Sequence, residues 1–381
     1  MNCTGIDAST GAGVEIHFDR AIQSVAPCAL PGDVFIAPGF IDVQVNGYAG
    51  VDYNSPAAPH DEIARSVGQL HSYGVARLYP TVITAGPDAM AGALRNLARF
   101  RESCPEGAAF DGFHVEGPFI SPEDGPRGAH PRRWVRRPDL DEFRRWQDAA
   151  AGGIRIVTLS PEWPEAPRFI EKIAGEGVVA SIGHTQATGE QIAAAVAAGA
   201  TMSTHLGNGA HALIRRHPNY IWDQLAEDRL MASFIVDGVH LPPAFVKVAV
   251  RAKGIERSVL VTDAAMPAGC KPGRYMVGEV EVELTADNRI VMAGQTRLAA
   301  SALSLDRAIG NLMQFAGLTL AEAVRMATVN PAIAGRLPGR TRGLAAGDRA
   351  DFVLFRFDAD EKRIDVEATW VDGRKVFQEV P

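Results

Sequence analysis

Short apolar runs alternate with stretches of helical character along most of this chain. Eight runs are predicted as strands, at residues 35–45, 76–83, 112–116, 154–159, 178–184, 201–205, 231–236 and 258–263. Helices are predicted between and after them, at residues 59–73, 88–102, 140–150, 167–176, 188–198, 242–253, 304–316 and 320–326. This alternation gives parallel strands joined by crossover helices, and eight repeats indicate closure. We therefore predict an α/β fold, a (β/α)8 TIM barrel.

An open, doubly wound sheet is the alternative that the same alternation allows. A nucleotide-binding sheet of that kind carries a glycine-rich phosphate loop after its first strand. Residues 39–50 occupy that position and contain no GxGxxG sequence. The closed barrel is therefore the preferred fold.

The two ends of the chain have a different pattern from the middle. Residues 1–36 form short β-like runs separated by polar turns, and the apolar alternation returns after residue 341, where Asp372-Gly373 indicates a hairpin turn. We predict that residues 1–36 and 341–381 together form a small β-sandwich domain and that residues 37–340 form the barrel.

Four of the apolar runs end in, or run into, a residue that can bind a metal or carry a proton: Glu116, His184, His205 and Asp263. A parallel barrel brings the carboxyl ends of its strands to one face, so these side chains are expected to form one metal-centred hydrolytic site. The alternative is that the histidines are ordinary buried residues at strand ends. The irregular stretch 121–138, which follows the Glu116 strand, is expected to be an active-site loop.

Composition and charge limit the kinds of molecule that this protein is expected to bind. The chain has 381 residues, 46% of them hydrophobic, and a net charge of −7, which disfavours binding to nucleic acid or an anionic membrane. It contains no apolar segment of the ~18–20 residues that a membrane-spanning helix needs. Its four cysteines are scattered, which fits reduced thiols. We expect a cytoplasmic protein that acts on a small molecule.

Several ordered motifs carry a family resemblance. They are APGFIDVQVNG, HVEGPFI with a following GAH, GHTQAT, THL with Asn208 close behind, DGVH, VTDAAMPAG, NPA and GLAAGDRADFVL. In order and approximate spacing they resemble the N-acetylglucosamine-6-phosphate deacetylases of the amidohydrolase superfamily. The resemblance covers essentially the whole chain and implies removal of the N-acetyl group from an amino sugar phosphate.

The resemblance also implies a metal site. Many amidohydrolases have an HxH pair on the first barrel strand, whereas this chain has Gln44 and Asn46 there. Amides are poor zinc ligands, so this half-site is expected to be empty or filled by water. That leaves one divalent metal per subunit, bound by Glu116, His184 and His205. Zn2+ is the first choice, and Fe2+, Co2+ or Mn2+ would tolerate the same ligands.

The resemblance also assigns the family's other functional residues to matching positions in this chain. Asp263 matches the catalytic aspartate, which takes a proton from the metal-bound water and returns it to the departing amine. His130 matches the residue that holds the substrate and polarises its carbonyl. The remaining substrate contacts implied by the resemblance are Ala129, Asn208, Gly209, Arg216, His240, Leu298, Ala299 and Ala300. Related enzymes take the arginine from a neighbouring subunit, which implies a homodimer.

This chain departs from the family pattern between residues 207 and 222. Gly209 and Ala300 replace an alanine and a glycine, and His211 and His217 are additional. N-acetylgalactosamine 6-phosphate therefore stays open as the substrate. A cyclic-amide or N-acyl amino acid hydrolase would be expected to keep the HxH pair. A non-catalytic binding protein of the same fold would be expected to lose a metal ligand or the aspartate.

Overall fold

The computed structural model describes residues 1–29, 32–278 and 280–379. Leu30, Pro31, Val380 and Pro381 of the predicted terminal domain and Glu279 of the predicted barrel lie outside the described residues. In chain order the strands are β1 Asn2–Asp7, β2 Gly13–Phe18, β3 Ile22–Pro27, β4 Val34–Pro38, β5 Phe40–Val45, β6 Gly47–Tyr48, β7 Val51–Asp52, β8 Val75–Ile83, β9 Phe113–Glu116, β10 Ile154–Leu159, β11 Val179–Ile182, β12 Ala200–Ser203, β13 Met231–Phe234, β14 Ser258–Leu260, β15 Gly273–Val277, β16 Val280–Leu284, β17 Ile290–Met292, β18 Leu298–Ala300, β19 Phe352–Asp358, β20 Arg363–Val371 and β21 Arg374–Gln378.

Eight of the ten α-helices in the described residues begin and end close to the predicted positions, and the short helices at residues 220–226 and 329–334 were not predicted. In chain order the ten are α1 His60–His71, α2 Pro87–Ser103, α3 Leu140–Ala149, α4 Ala166–Gly175, α5 Gly189–Ala197, α6 Tyr220–Ala226, α7 Pro243–Lys253, α8 Leu305–Ala316, α9 Leu320–Ala327 and α10 Val329–Ala334. Side-chain caps fix the first residues of several helices. Thr188 forms a capping box with Gln191 at the start of α5, and Asp139 caps α3. Among the described residues no helix is long and apolar enough to cross a membrane.

The predicted barrel is confirmed. Its eight strands pair in the order β14-β13-β12-β11-β10-β9-β8-β5, and the registered pairs are parallel. The ring closes where the first and last strands meet, because the Asp263 N–H donates to Gln44 O at 2.9 Å and the Asn46 N–H donates to Ala264 O at 2.7 Å. The closure therefore lies at the carboxyl end of the strands, where active sites of such barrels are built.

The predicted first strand, residues 35–45, is two strands in two different sheets. β4 pairs with β1 and β19 in the terminal sheet, and β5 pairs with β8 in the barrel. Gly39 separates them at a point where a Cβ atom would lie 2.4 Å from the Cβ of Ala76. The backbone crosses from one sheet to the other there, so the continuous apolar run conceals a break.

Both chain ends contribute to one seven-stranded sheet, in the order β21-β20-β19-β4-β1-β2-β3. The predicted Asp372-Gly373 turn joins β20 to β21, with φ values of 49° and 72°. A small core of its own, which includes Phe18, Phe352 and Trp370, lies within this sheet. The domain boundaries at residues 36 and 341 stay a prediction, although β4 continues to Pro38 in the terminal sheet.

A four-stranded antiparallel sheet, β15 to β18, lies between the eighth barrel strand and α8. The sequence pattern did not predict it. Its strands are short. Of the four only β16, with the sequence VEVEL, alternates clearly between apolar and charged residues, and one run of five residues does not by itself predict a sheet.

A buried ion cluster joins the barrel to the terminal sheet. The Asp351 carboxylate accepts two hydrogen bonds from Arg77, both at 2.8 Å, and one from Arg340 at 2.7 Å. Burial alone would raise the pKa of Asp351, but the two arginines hold that pKa well below its usual range. Burial lowers the pKa of Arg340, which shares the carboxylate with Arg77, without bringing it near neutrality. The cluster is therefore charged at neutral pH.

We predict that Asp351→Asn lowers the free energy of unfolding by roughly 3–5 kcal/mol at pH 7, because it removes the carboxylate that pairs with the buried Arg340 and leaves Arg77 with Asp372 as its close partner. The folded pKa lies below the unfolded one, so the carboxylate stabilises the fold fully above about pH 4, and that contribution is lost as the pH falls from there through the folded pKa. Urea unfolding at pH 7 and at about pH 2.5 measures both effects. Asp365→Asn, which removes an exposed pair with Arg363, is the control. Equal unfolding energies for Asp351→Asn and that control would contradict the prediction.

Candidate active site

The four predicted residues meet at the carboxyl face of the barrel. Glu116 is the last residue of β9, whereas His184, His205 and Asp263 lie two or three residues beyond the ends of β11, β12 and β14. The strands end earlier than predicted, because the chain turns immediately before each of these three residues.

Those three residues have backbone φ values of 50°, 29° and 50° in the left-handed region. Such a conformation costs a non-glycine residue about 1–3 kcal/mol and persists only where its surroundings fix it. Each is held by a hydrogen bond to the next part of the rim: Ser121 N–H to His184 O at 2.9 Å, His205 N–H to Ser233 Oγ at 2.8 Å, and Asp263 N–H to Gln44 O at 2.9 Å. Backbone strain therefore coincides with the proposed chemistry.

Three side-chain atoms form a compact triangle at the centre. His205 Nε2 lies 2.8 Å from Glu116 Oε1, and His184 Nε2 lies 3.1 Å from both Glu116 Oε1 and His205 Nε2. All three side chains are buried, with at most 8% of their surface exposed. Burial would raise the pKa of Glu116, but hydrogen bonds from the two histidines hold it well below its usual range.

The triangle fits a single divalent metal. Ligand atoms bound at ~2.0–2.1 Å in a tetrahedral site lie about 3.4 Å apart, close to the separations found here. His184 Nδ1 lies 2.8 Å from Pro126 O, and a donated proton there leaves the Nε2 lone pair for a metal. Glu116 and His184 also form a group of possible ligands with His130, in which one ligand atom from each residue lies within 4.8 Å of the others. The donors therefore have the composition of a hydrolytic metal site.

Gln44 and Asn46, expected to leave an empty or water-filled half-site, instead make hydrogen bonds to the carboxylates. Asn46 Nδ2 donates to Asp263 Oδ1 at 2.7 Å, and Gln44 Nε2 donates to the same oxygen at 3.2 Å and to Glu116 Oε1 at 3.0 Å. Both amides thus bind Oδ1 of Asp263 and leave Oδ2 for other partners. The orientation of each amide is set by these acceptors.

Burial, and then the charge of Glu116, raises the pKa of Asp263 to about 6. A carboxylate near this value can both accept and return a proton close to neutral pH. The geometry and the titration behaviour therefore distinguish Asp263 from Glu116, although both are buried carboxylates.

His130 lies beside the triangle, with its ring centroid 4.4 Å from that of His184. Its Nδ1 lies 2.8 Å from the Thr84 hydroxyl oxygen. Burial, and then the nearby His184, lowers the pKa of His130 to about 3, so the ring is neutral at physiological pH. Thr84 was not predicted, since a lone threonine after a strand carries no sequence signal.

A cavity of about 880 Å³ opens above the centre. Its wall contains all four strand-end residues and most of the predicted substrate contacts, namely Ala129, His130, Asn208, Gly209, His240, Leu298, Ala299 and Ala300. Gly209 has a φ of 55°, and a Cβ atom there would lie 2.7 Å from His184 Nδ1. The glycine at this departure from the family pattern is thus required by the position of His184.

Arg216 is the predicted contact that does not reach the cavity of its own chain. It lies on an exposed loop, residues 212–218, together with Leu213, whose surface is 93% exposed. Sequence spacing could not place this loop, because it has no regular structure.

The comparisons with known proteins agree with this geometry. The amidohydrolase family profile matches residues 35–376. The N-acetylglucosamine-6-phosphate deacetylase of Bacillus subtilis (strain 168) is 32% identical over 333 residues, covering 87% of this chain and 83% of that protein. The deacetylase of the same name from Bos taurus is 35% identical over 361 residues, covering 91% and 84%.

A solved structure shares the fold throughout. It is a variant of the N-acetyl-D-glucosamine-6-phosphate deacetylase of Mycobacterium smegmatis, with one aspartate replaced by alanine, in complex with N-acetyl-D-glucosamine-6-phosphate. The TM-score is 0.87 at 33% identity, and the match covers 99% of each chain. This chain belongs to the amidohydrolase family and, within it, to the N-acetylglucosamine-6-phosphate deacetylases.

Proposed function

We propose that this enzyme hydrolyses N-acetylglucosamine 6-phosphate to glucosamine 6-phosphate and acetate, a step of amino sugar catabolism. The observation that carries the proposal is the buried triangle of Glu116, His184 and His205 with the Asp263 carboxylate beside it. These are the parts that a metal-dependent amide hydrolase needs: three ligands and a separate proton carrier. Its family membership supplies the substrate class.

Zn2+ is the metal we propose, held by Glu116, His184 and His205. A bound divalent ion acts as a Lewis acid on the carbonyl and lowers the pKa of the attacking water. Two imidazoles and one carboxylate are ligands that zinc prefers, and Fe2+, Co2+ and Mn2+ accept the same set.

The chain's own residues move the proton. Asp263 accepts a proton from the attacking water at Oδ2, while the amides of Asn46 and Gln44 keep Oδ1 fixed. It then gives that proton to the nitrogen as the carbon–nitrogen bond breaks. His130, with Nδ1 accepting the Thr84 hydroxyl proton, directs its Nε2–H at the developing carbonyl oxyanion.

The phosphate needs a positive partner, which the described cavity lining of one chain does not offer. Among the described residues that line the cavity there is no lysine or arginine, and the nearest polar candidates are His240 and Asn208. Asp237 lies 2.6 Å from His240 Nδ1 and orients that ring. We therefore propose a homodimer in which Arg216, exposed in its own chain, reaches the phosphate in the neighbouring site.

Two further proposals concern the whole chain. A cytoplasmic location is supported by its four cysteines, none of which forms a disulfide. Residues 1–36 with 341–381, and residues 37–340, are proposed as the two structural domains, supported by a buried cluster that lies within the terminal sheet.

We predict that Asp263→Asn lowers kcat by roughly 10²–10⁴-fold, because the amide cannot accept the proton of water. The metal content should stay unchanged, since Asp263 is not part of the triangle. Acetate release from the 6-phosphates of N-acetylglucosamine and N-acetylgalactosamine and from both parent sugars, with elemental analysis of the protein, measures both effects. Asp287→Asn, on an exposed turn, is the control. No acetate from either phosphorylated sugar with the wild-type enzyme would contradict the function, and an active Asp263→Asn would contradict the role of this residue.

Asn46→Leu keeps the side-chain size and removes the donor to Asp263. A hydrogen bond to a charged group contributes about 1.5–3 kcal/mol, so we predict a loss in kcat of roughly 10–100-fold with little change in KM. The effect should vanish in an Asp263→Asn background, because Asn46 acts through that carboxylate. Additive losses in the double variant would contradict this role.

The subunit contribution of Arg216 can be tested by mixing two impaired variants. Arg216→Ala chains supply Asp263, and Asp263→Asn chains supply Arg216, so one site in each mixed dimer is complete. We predict recovery of up to about a quarter of wild-type activity after joint refolding, given random pairing. Each variant refolded alone is the control. If Arg216 acts within its own chain, mixing will restore nothing.

A further inference from the structure

The active-site cavity continues beyond the catalytic centre into an apolar annex. We define this annex by six lining residues: Pro56, Ile83, Ala85, Trp134, Val277 and Val280. None of the residues assigned above to the metal, the proton transfer or the sugar phosphate belongs to it.

The annex lies across the centre from the predicted sugar and phosphate contacts. Ile83 and Ala85 follow the second strand of the ring, and Trp134 follows the third. Asn208 and His240 follow the sixth and the seventh strands. In a closed ring of eight strands, the second and sixth strands are opposite each other, as are the third and seventh.

The walls of the annex are fixed by contacts outside it. Arg136 donates to Ala85 O at 3.2 Å and to Trp134 O at 2.6 Å, which ties the two rim loops together. Trp134 packs on Gly86, where a Cβ atom would lie 3.2 Å from the indole ring. On the other side, the Gly278 N–H donates to Asp52 Oδ2 at 2.9 Å, which ties the residue after β15 to β7. The annex is therefore preformed.

The charge of the annex excludes a phosphate. The charged residues that line this end of the cavity are Asp52 and Asp88, and the described part of the lining contains no basic side chain except histidines at the centre. The Asp88 side chain is 98% exposed and pairs with Arg145 at 3.1 Å, so the outer end opens to solvent. An apolar passage with an open mouth and no positive side chain in its described lining suits an unbranched hydrocarbon chain better than an anion.

The position of the scissile bond decides which part of the substrate enters the annex. An amide held at the centre has its amine portion on one side of the carbonyl carbon and its acyl portion on the other. If the sugar phosphate extends towards Asn208 and His240, the acyl group extends towards Ala85 and Trp134. An acetyl methyl group would leave most of the annex unfilled.

We propose that the annex is an acyl-binding subsite and that the enzyme hydrolyses N-acyl amino sugar phosphates with unbranched acyl chains of about four to six carbons at least as well as the N-acetyl substrate. The reaction is unchanged: the oxygen of water bonds to the acyl carbon, the carbon–nitrogen bond breaks, and the amine nitrogen takes the proton that Asp263 carried. The products are a fatty carboxylate and the free amino sugar phosphate. This inference rests on the proposed function.

The test compares kcat/KM for N-acetyl, N-butyryl and N-hexanoyl glucosamine 6-phosphate, followed by release of the free amine from the metal-loaded enzyme. Each methylene group that enters an apolar site is expected to raise kcat/KM by up to about fourfold. A kcat/KM for the butyryl substrate more than about twofold below that for the acetyl substrate, with the acetyl substrate cleaved, would overturn the inference but not the proposed function. An enzyme inactive on the acetyl substrate would instead overturn the proposed function.

Two variants test whether the annex causes the preference for longer acyl chains. Ala85→Phe fills the annex and should lower kcat/KM for the hexanoyl substrate at least about tenfold more than for the acetyl substrate. Trp134→Ala removes part of the wall and should shift the same ratio in the same direction, which keeps the test open if Ala85→Phe fails to fold. Ala359→Phe, at an exposed position of the terminal sheet, is the matched control. Equal losses on both substrates would place the sugar in the annex and would also overturn the inference.

Discussion

The site depends on the closure of the barrel between its first and last strands. Two backbone hydrogen bonds make that closure, from Asp263 N–H to Gln44 O at 2.9 Å and from Asn46 N–H to Ala264 O at 2.7 Å. They lie at the residues that we propose carry the chemistry, so closing the ring also positions the proposed proton carrier. The same bonds bring the amide groups of Gln44 and Asn46 against the Asp263 carboxylate.

This arrangement explains how the enzyme manages with neutral amides where relatives with an HxH pair place a second cation. Glu116 and Asp263 are buried carboxylates that share Gln44 as a donor, at 3.0 and 3.2 Å. A second cation there would offset their repulsion but would also favour the charged form of Asp263 strongly. Amide donors fix the carboxylate with a much weaker bias towards ionisation. Burial and the charge of Glu116 raise the pKa of Asp263 to about 6, a value at which the proposed proton transfer can run in both directions.

Sequence reasoning predicted the features that follow from simple periodicity. Glu116, His184 and His205 were brought together by the rule that parallel strands end on one face, and the structure places their ligand atoms within 3.1 Å of one another. The rule does not depend on where each strand ends, so it held although the strands end earlier than predicted. It could not indicate the left-handed backbone at His184 and His205, because that conformation is imposed by tertiary hydrogen bonds.

Other features were missed for physical reasons. Gly39 interrupts an unbroken apolar run, and only the neighbouring Ala76, distant in sequence, makes a glycine necessary there. From the sequence, Gln44 and Asn46 were interpreted only as residues that cannot bind a metal. Their role as hydrogen-bond donors could not be predicted, because the acceptor, Asp263, lies more than two hundred residues away. The annex residue Trp134 lies in the predicted active-site loop, but its partner Gly86 belongs to a different loop.

The terminal sheet is coupled to the chemistry through one strand. The Arg340 guanidinium donates to Gly39 O at 2.5 Å, and the Gly39 N–H donates to Asp351 O at 3.0 Å, so the buried ion cluster and its neighbours fix the point at which β5 begins. Side chains alternate between the two faces of a strand, and a slip of one residue would turn Gln44 away from the site. The pairing of β5 with β8 shifts register between Asp42 and Val45, so the contacts at Gly39 fix where β5 begins, and the bonds to Asp263 and Ala264 fix where it ends. The terminal sheet therefore contributes to the position of the strand that carries Gln44, the amide donor to the proposed proton carrier.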